Sequence, residues 1–131
     1  MAEDEKEQLA EKRTDFAEDR TALANERTFA GWLRTGFAAV GIGLGFQALF
    51  QMLRPEWVPK AIATGFLLIA IFIFVAAERR ACTVLRRLHA HKVETAHVGN
   101  MRIITLAAVA ATVALIAAMW LLKMKAGAPA A

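Results

Sequence analysis

The chain has 131 residues, of which 57% are hydrophobic and 21% are charged, and its formal net charge at pH 7 is +4. This length suits one domain, but the hydrophobic share is too large for a soluble domain, so the composition indicates a membrane protein. A nucleic-acid-binding protein is not expected, because the basic residues adjoin apolar segments and the amino end is acidic.

Three uncharged apolar runs account for the hydrophobic share, at residues 35–53, 61–77 and 103–122. At about 1.5 Å per residue, each run forms a helix of roughly 25 to 30 Å, which is enough to cross the hydrocarbon layer. The sequence therefore predicts an all-α membrane protein with three transmembrane helices, the first and second extended into the cytoplasm. The predicted spans are about 33–53, 60–78 and 102–122.

Residues 1–15 are mostly Glu, Asp and Lys, and Leu9 is the one large apolar side chain after Met1. We expect an acidic, solvated helical lead-in to a three-helix domain at 16–125, followed by a disordered tail at 126–131. Nothing in the lead-in resembles a cleavable signal, because it is acidic and the first apolar run starts only at residue 35.

A stripe of arginines leads into the first span at a spacing of seven residues: Arg13, Arg20, Arg27 and Arg34. A step of seven drifts by only about 20° on an α-helix, so the four guanidinium groups share one face. Arg20, Arg27 and Arg34 have no acidic residue three or four positions away, and Glu26 has no basic one. These charges must find counterparts on another helix, another subunit, a lipid phosphate or a bound anion.

An apolar stripe runs about 60° round the helix from the arginines. It consists of Leu9, Phe16, Leu23, Ala30 and Phe37. A helix with one apolar and one cationic edge is expected to lie against the membrane surface or a partner helix, or to project straight out of the bilayer as a continuation of the span.

Glycines are frequent in the first span, where GIGLG superficially resembles a nucleotide-binding loop. No strand precedes it and no phosphate-binding Lys follows, so no cofactor is expected. Gly36, Gly41 and Gly45, the last two spaced GxxxG, are instead predicted to allow close helix packing in lipid.

The connector at residues 54–60 contains two prolines and predicts a tight turn, so the first two spans are antiparallel neighbours. Matching their depths predicts that Arg34 faces Glu78, and that Glu26 lies opposite the second arginine pair of the second helix. In an oligomer two basic rings about 10 Å apart would result, only partly neutralised by Glu26 and Glu78. The first ring contains Arg34, Arg79 and Arg80, and the second contains Arg27, Arg86 and Arg87.

Two interpretations of these arginines remain open. Basic residues on the cytoplasmic side satisfy the topology rule, and a stripe that snorkels to anionic lipid headgroups explains the spacing. A specific anion-binding site or anion path explains it as well.

Orientation follows from the Lys and Arg count, with twelve residues on the side of the amino terminus and four on the other. We expect a cytoplasmic amino terminus and a periplasmic or extracellular carboxyl terminus. Trp32 is then an inner interface anchor, and Trp57 and Trp120 are outer ones.

No catalytic or metal site is predicted. His89, His91 and His97 lack a Cys or carboxylate at ligand spacing, and no nucleophile has a base at a suitable offset. Cys82 is the single cysteine, so there is no internal disulfide. Val98, Gly99 and Asn100 are expected to form the turn that starts the third span.

The segment ALANERTFAGWLRT, followed by a Gly-rich span and two further spans, resembles the DUF202 family, which includes the YidH-like bacterial inner-membrane proteins. The resemblance extends from about residue 16 to residue 122. Where the family more usually has Leu and Ala, this chain has Ala30 and Gly31, which thins one helix face. The most specific positions are Arg20, Asn25, Glu26, Arg27, Thr28, Trp32, Leu33, Arg34 and Thr35.

The resemblance implies a function only through one relative, the membrane part of the eukaryotic vacuolar polyphosphate polymerase complex. There, similar bundles form a pentamer around a basic polyphosphate channel. Positions matching Arg20 and Arg27 line that pore, and the position matching Glu26 is an acidic gate or pairing residue. This chain lacks the soluble polymerase domain, so polymer synthesis is not expected.

Two functions follow as hypotheses. The first is a homo-oligomer in the bacterial inner membrane that binds or conducts an anion such as polyphosphate. The second is a structural or adaptor protein whose amphipathic cytoplasmic arm binds a partner protein or anionic lipid. An enzyme is not expected.

Overall fold

The computed structural model describes residues 1–88 and 95–126, with side chains except at 85, 87, 88, 95–98 and 123–126. The described part contains three helices and no strand: α1 (Ala2–Leu49), α2 (Trp57–Leu88) and α3 (Thr95–Ala126). Each contains a stretch long and apolar enough to cross a membrane. The prediction of an all-α, three-span membrane protein is therefore confirmed. All but the first residue of the predicted tail lies outside the described residues.

The turn between α1 and α2 begins earlier than predicted, because α1 ends at Leu49 instead of continuing to residue 53. The amide of Phe50 still donates to the carbonyl of Phe46 at 3.0 Å, and the amide of Leu53 donates to the carbonyl of Phe50 at 3.1 Å. Pro55 disfavours helix in the residue before it, and Pro59 falls in the first turn of α2, where a missing amide hydrogen costs little.

The third helix begins earlier than expected, and the predicted turn at Val98, Gly99 and Asn100 is helical. A glycine inside a helix costs only about 1 kcal/mol relative to alanine. This local preference is weak, so the neighbouring helix-forming residues override it.

The core lies along one stripe of α2, which is fully or almost fully buried. The stripe follows the three- and four-residue spacing of one helix face and consists of Ala63, Leu67, Ala70, Phe74, Ala77 and Ala81. Residues of α1, such as Val40, and of α3, such as Ala108, pack against it. Because lipid is as apolar as these side chains, close van der Waals packing of small against large residues holds the helices together.

Two glycines of α1 lie directly against α2. A Cβ atom at Gly36 would overlap the ring of Phe74, and one at Gly43 would lie 3.0 Å from the Cβ of Phe66. Gly41 and Gly45 have no atom within 4 Å of where a Cβ would stand. The predicted GxxxG contact is therefore absent within the described chain, because both glycines lie about 160° round the helix from Gly43.

The amino-terminal part of α1 extends beyond the bundle. Asn25 is the first buried residue of the helix. Residues 2–24, which we call the stalk, are exposed except for the half-buried Glu18 and Ala22. Because α1 is one unbroken helix, the stalk continues the direction of the first span and does not form a separate helix in the membrane plane.

Candidate anion-binding face at the basic end

The end of the bundle that carries Arg34, Glu78, Arg79, Arg80 and Arg102 is called the basic end here. It is opposite the turn between α1 and α2, so the stalk leaves the bundle from it. Each of the three helices contributes at least one arginine to this end.

The arginine stripe of α1 points away from α2. Asn25 and Phe29, two residues before and after Arg27, are buried, whereas Arg27 is exposed. A two-residue step turns the helix by about 200°, so Arg27 lies nearly opposite both. Arg34 has the same relation to Gly36, and Arg20 is exposed on the same face. The stripe therefore occupies the face of α1 that has no partner helix in the described chain.

The carboxylate of Glu78 is bound by Arg102 and not by Arg34. The Nε atom of Arg102 donates to Oε1 of Glu78 at 3.2 Å. Arg34 lies on the far face of α1 and does not pair with Glu78. The expectation that these two residues face each other was wrong for this reason. Sequence reasoning counted Arg102 only for topology, although it directly precedes the third apolar run.

A second contact ties Glu78 within the bundle, because the Sγ atom of Cys82 donates to the same Oε1 at 3.4 Å. Cys82 is buried and stands one helical turn after Glu78. The carboxylate is thus directed towards α3, while Arg79 and Arg80 are exposed. Within the described residues, no ion pair neutralises Arg20, Arg27, Arg34, Arg79, Arg80 or Arg86, and none is formed by Glu26.

Trp32, predicted as an interface anchor, contacts Arg80. The guanidinium carbon of Arg80 lies 6.0 Å from the centroid of the Trp32 ring, which is the geometry of a cation–π contact. Trp32 also borders an open groove of about 390 Å³ together with Thr28, Gly31 and Thr35. The groove runs along α1 beside the arginine stripe. Its threonines and glycine therefore lie between the arginines and the Trp32 ring.

Asn25 contributes a contact that sequence reasoning missed. Its side chain is buried, and Nδ2 donates to the carbonyl oxygen of Ala81 on α2 at 3.3 Å. Such a bond contributes about 1 kcal/mol, and leaving the amide unpaired in the interior would cost more. It fixes α1 against α2 two residues before Arg27. The available signal was a neutral polar residue on the apolar-facing side of the helix.

The seven-residue spacing also applies to threonines, because each arginine of the stripe is followed by one: Thr14, Thr21, Thr28 and Thr35. Each hydroxyl donates to the carbonyl oxygen four residues earlier, at 2.9 to 3.1 Å. Because these hydroxyl groups donate within α1, they need no partner outside the helix. The threonines therefore place small side chains next to each arginine of the stripe. The repeated Arg-Thr pair was the signal for this feature.

Other candidate residues lie partly outside the described structure. The side chains of Arg87 and His97 and the whole of His89 and His91 are not among the described residues. Among those that are, no three His, Cys, Asp or Glu side chains form a group that could hold a metal ion.

At the opposite end of the bundle, Lys60 is buried and its Nζ atom lies 5.3 Å from the centroid of the Trp120 ring. Trp120 Nε1 donates to the hydroxyl of Thr64 at 3.1 Å. Trp57 is exposed on the same end. Together with the Glu78–Arg102 pair, these contacts attach α3 to α2 near both ends.

Comparison with known proteins gives one finding. A family model described as "Domain of unknown function (DUF202)" matches residues 20–87, slightly more than half of the chain. The match covers most of α1 and nearly all of α2, including Arg20, Arg27 and Arg34, and α3 lies beyond it. Neither the curated proteins nor the solved structures that were compared gave a match. The chain belongs to the DUF202 family.

Proposed function

We propose that this small multi-pass membrane protein assembles into a homo-oligomer that presents basic rings and binds or conducts a polyanion such as polyphosphate. The observation that carries the proposal is the arginine stripe of α1, which is exposed, lies opposite α2 and has no anionic partner among the described residues. A charge close to the membrane that is unpaired in one chain is stabilised by a second chain, by lipid phosphate or by a bound anion.

The same face of α1 favours contact with further copies inside the membrane. Gly41 and Gly45 continue the direction of Arg34 and have open space around them. Small residues let helix backbones approach closely, which is the main route to helix association in lipid. A ring of α1 helices would therefore bring the arginine stripes of all copies around one axis.

Such a ring would have an excess of positive charge. Glu78 is bound by Arg102, so it contributes little to neutralising Arg79 and Arg80. Arg34 with Arg79 and Arg80, and Arg27 with Arg86, would form two cationic layers about 10 Å apart. Repeated cationic layers suit a ligand with repeated negative charges, and the pentamer of the polyphosphate complex is the stoichiometry suggested by resemblance.

We place the protein in the bacterial inner membrane with the basic end in the cytoplasm, in accordance with the positive-inside rule. A binding or conducting role is proposed here instead of an enzymatic one. In such an assembly, anionic phospholipid headgroups would bind the arginines that face the surrounding lipid.

The proposal is tested by measuring polyphosphate binding to the full-length protein in nanodiscs and anion flux through it in liposomes. Arg27→Ala and Arg34→Ala are each expected to weaken binding roughly fivefold, or about 1 kcal/mol, and high salt to screen it. Arg54→Ala is the matched control, because it removes the same charge from the opposite end of the bundle. A well-folded oligomer that neither binds nor conducts anions would contradict the proposal.

The adaptor function is the second candidate, and the exposed Leu9, Phe16 and Leu23 of the stalk favour it. It predicts that a partner protein co-purifies with the chain and is lost when residues 1–25 are deleted. A partner that is retained after this deletion binds elsewhere.

A further inference from the structure

The stalk has an apolar edge that no described residue covers. Leu9, Phe16 and Leu23 are 53%, 66% and 64% exposed, and they follow each other at seven-residue intervals. In a single stalk helix, these three large apolar side chains are exposed to water, which is unfavourable compared with burial against a partner. Such a strict seven-residue repeat is the pattern by which helices wind round each other in a left-handed supercoil.

Arginines complete the heptad. Arg13, Arg20 and Arg27 come four residues after Leu9, Phe16 and Leu23, so with the apolar residues at position d the arginines occupy position a. These six residues, the last of which lies just beyond the stalk, are called the stalk seam. A charged residue at position a lowers the stability of a coiled coil but fixes its register. The seam alone would therefore associate weakly, and anchoring of both copies in one membrane would assist its association.

The acidic residues next to the seam are placed to neutralise arginines of a second copy. Asp19 and Glu26 directly precede Arg20 and Arg27, which puts them at position g. Adjacent residues on one helix do not face each other, so they cannot pair within the chain. In a parallel pair of helices, by contrast, a residue at position a packs beside the g residue that precedes it on the partner. Asp19 then meets Arg20 of a second copy, and Glu26 meets Arg27.

We propose that the stalk binds the stalk of a second copy of this chain, in parallel and in register, along the stalk seam. The membrane supplies the alignment, because copies inserted in the same orientation project their stalks in the same direction from the same level. It also raises the effective concentration of one stalk near another. Most of the stalk lies upstream of residue 20, where the family match begins, so the family match does not cover most of this interface.

The inference rests on the oligomer of the proposed function but not on its anion binding. Arg13 has Lys12 and Arg34 has Leu33 at the preceding g position, so neither gains an acidic neighbour from a second copy. The interface therefore neutralises Arg20 and only offsets Arg27, whose layer in the proposed ring stays cationic through the arginines of α2.

The test is disulfide cross-linking of the full-length protein in membranes, in a Cys82→Ala background that removes the single native cysteine. Phe16→Cys and Leu23→Cys lie on the seam, whereas Glu11→Cys and Asp15→Cys are matched controls at exposed positions on the opposite face of the stalk. Oxidation is expected to produce homodimers at positions 16 and 23 and few at positions 11 and 15. Equal dimer yields at all four positions, no dimer at any, or a mixed disulfide with another protein alone would overturn the inference.

A charge exchange tests the neighbouring pairs. Asp19→Arg is expected to reduce the dimer formed by Leu23→Cys several-fold, and adding Arg20→Asp is expected to restore it, because the exchanged charges again meet across the interface. Asp15→Arg, which makes the same change in net charge at an exposed position away from the seam, is expected to leave the yield unchanged. An exchanged pair that fails to restore the dimer would argue against parallel pairing.

Polyphosphate binding measured on the same preparations separates the two proposals. Arg34→Ala lies outside the seam and is expected to weaken binding without changing the cross-links. Binding without dimers at positions 16 and 23 would refute the stalk interface alone, and dimers without binding would refute the proposed anion function alone.

Discussion

At the residue scale, the position of one carboxylate decides how the charges at the basic end are distributed. Glu78 accepts hydrogen bonds from Arg102 on α3 and from Cys82 one turn away on α2. It therefore does not pair with Arg79 or Arg80, which follow it in sequence. The cationic character of this end thus depends on a contact between α2 and α3 and not only on composition.

We predict that Arg102→Gln lowers the free energy of unfolding by about 1 kcal/mol, because half of the Arg102 side chain is exposed and solvent screens the pair. Unfolding of the protein in mixed micelles measures the effect. Arg79→Gln serves as the control, since this exposed arginine has no ion pair among the described residues and should cost little. In a double-mutant cycle, Glu78→Gln should cost less when Arg102 is already replaced, and strict additivity would count against the pair.

At the element scale, one face of α1 packs against α2 and the opposite face does not. Gly36 and Gly43 bring α1 close to α2, and Asn25 bonds to a carbonyl of α2 at the basic end. The opposite face carries the arginine stripe together with Gly41 and Gly45. One helix therefore builds the bundle with one side and leaves the other side free for lipid, a second copy or an anion.

We predict that Gly36→Ala lowers the unfolding free energy by about 1 to 3 kcal/mol, because the added methyl group overlaps the ring of Phe74. Gly41→Ala is the matched control and should stabilise the monomer in detergent by up to about 1 kcal/mol through helix propensity. Phe74→Leu should recover part of the loss caused by Gly36→Ala. Equal effects of the two glycine substitutions would show that α1 packs through a different face.

At the scale of the whole molecule, the chain consists of a three-helix membrane bundle and a stalk without buried residues. The stalk ends where Asn25 and Phe29 enter the core of the basic end. Folding of the bundle should therefore be independent of the stalk, and association of copies should depend on it.

We predict that deleting residues 2–24 leaves the thermal unfolding midpoint of the monomer in detergent unchanged within a few degrees. Deleting residues 2–30 should lower it clearly, since the hydrogen bond of Asn25 and the burial of Phe29 are then lost. A large effect of the shorter deletion would mean that the stalk packs on the bundle.

The sequence by itself determined the number of helices, their order and the turn between the first two, since these depend on local hydropathy and on the distance travelled per residue. Arg34 and Glu78 illustrate the limit. Their depths could be matched from residue numbers, but the direction of each side chain depends on which helix face packs.

Only the tertiary structure decided how each helix is rotated about its own axis, and so which face packs. It assigned Arg102 to Glu78 and gave Asn25 a bond to α2. Of the three glycines expected to pack, it brought Gly36 against α2 and left Gly41 and Gly45 open, and it added Gly43. The physical reason is that helix rotation is set by small differences in packing among many apolar residues. Those differences leave little signature in hydropathy, because all three apolar runs are uncharged.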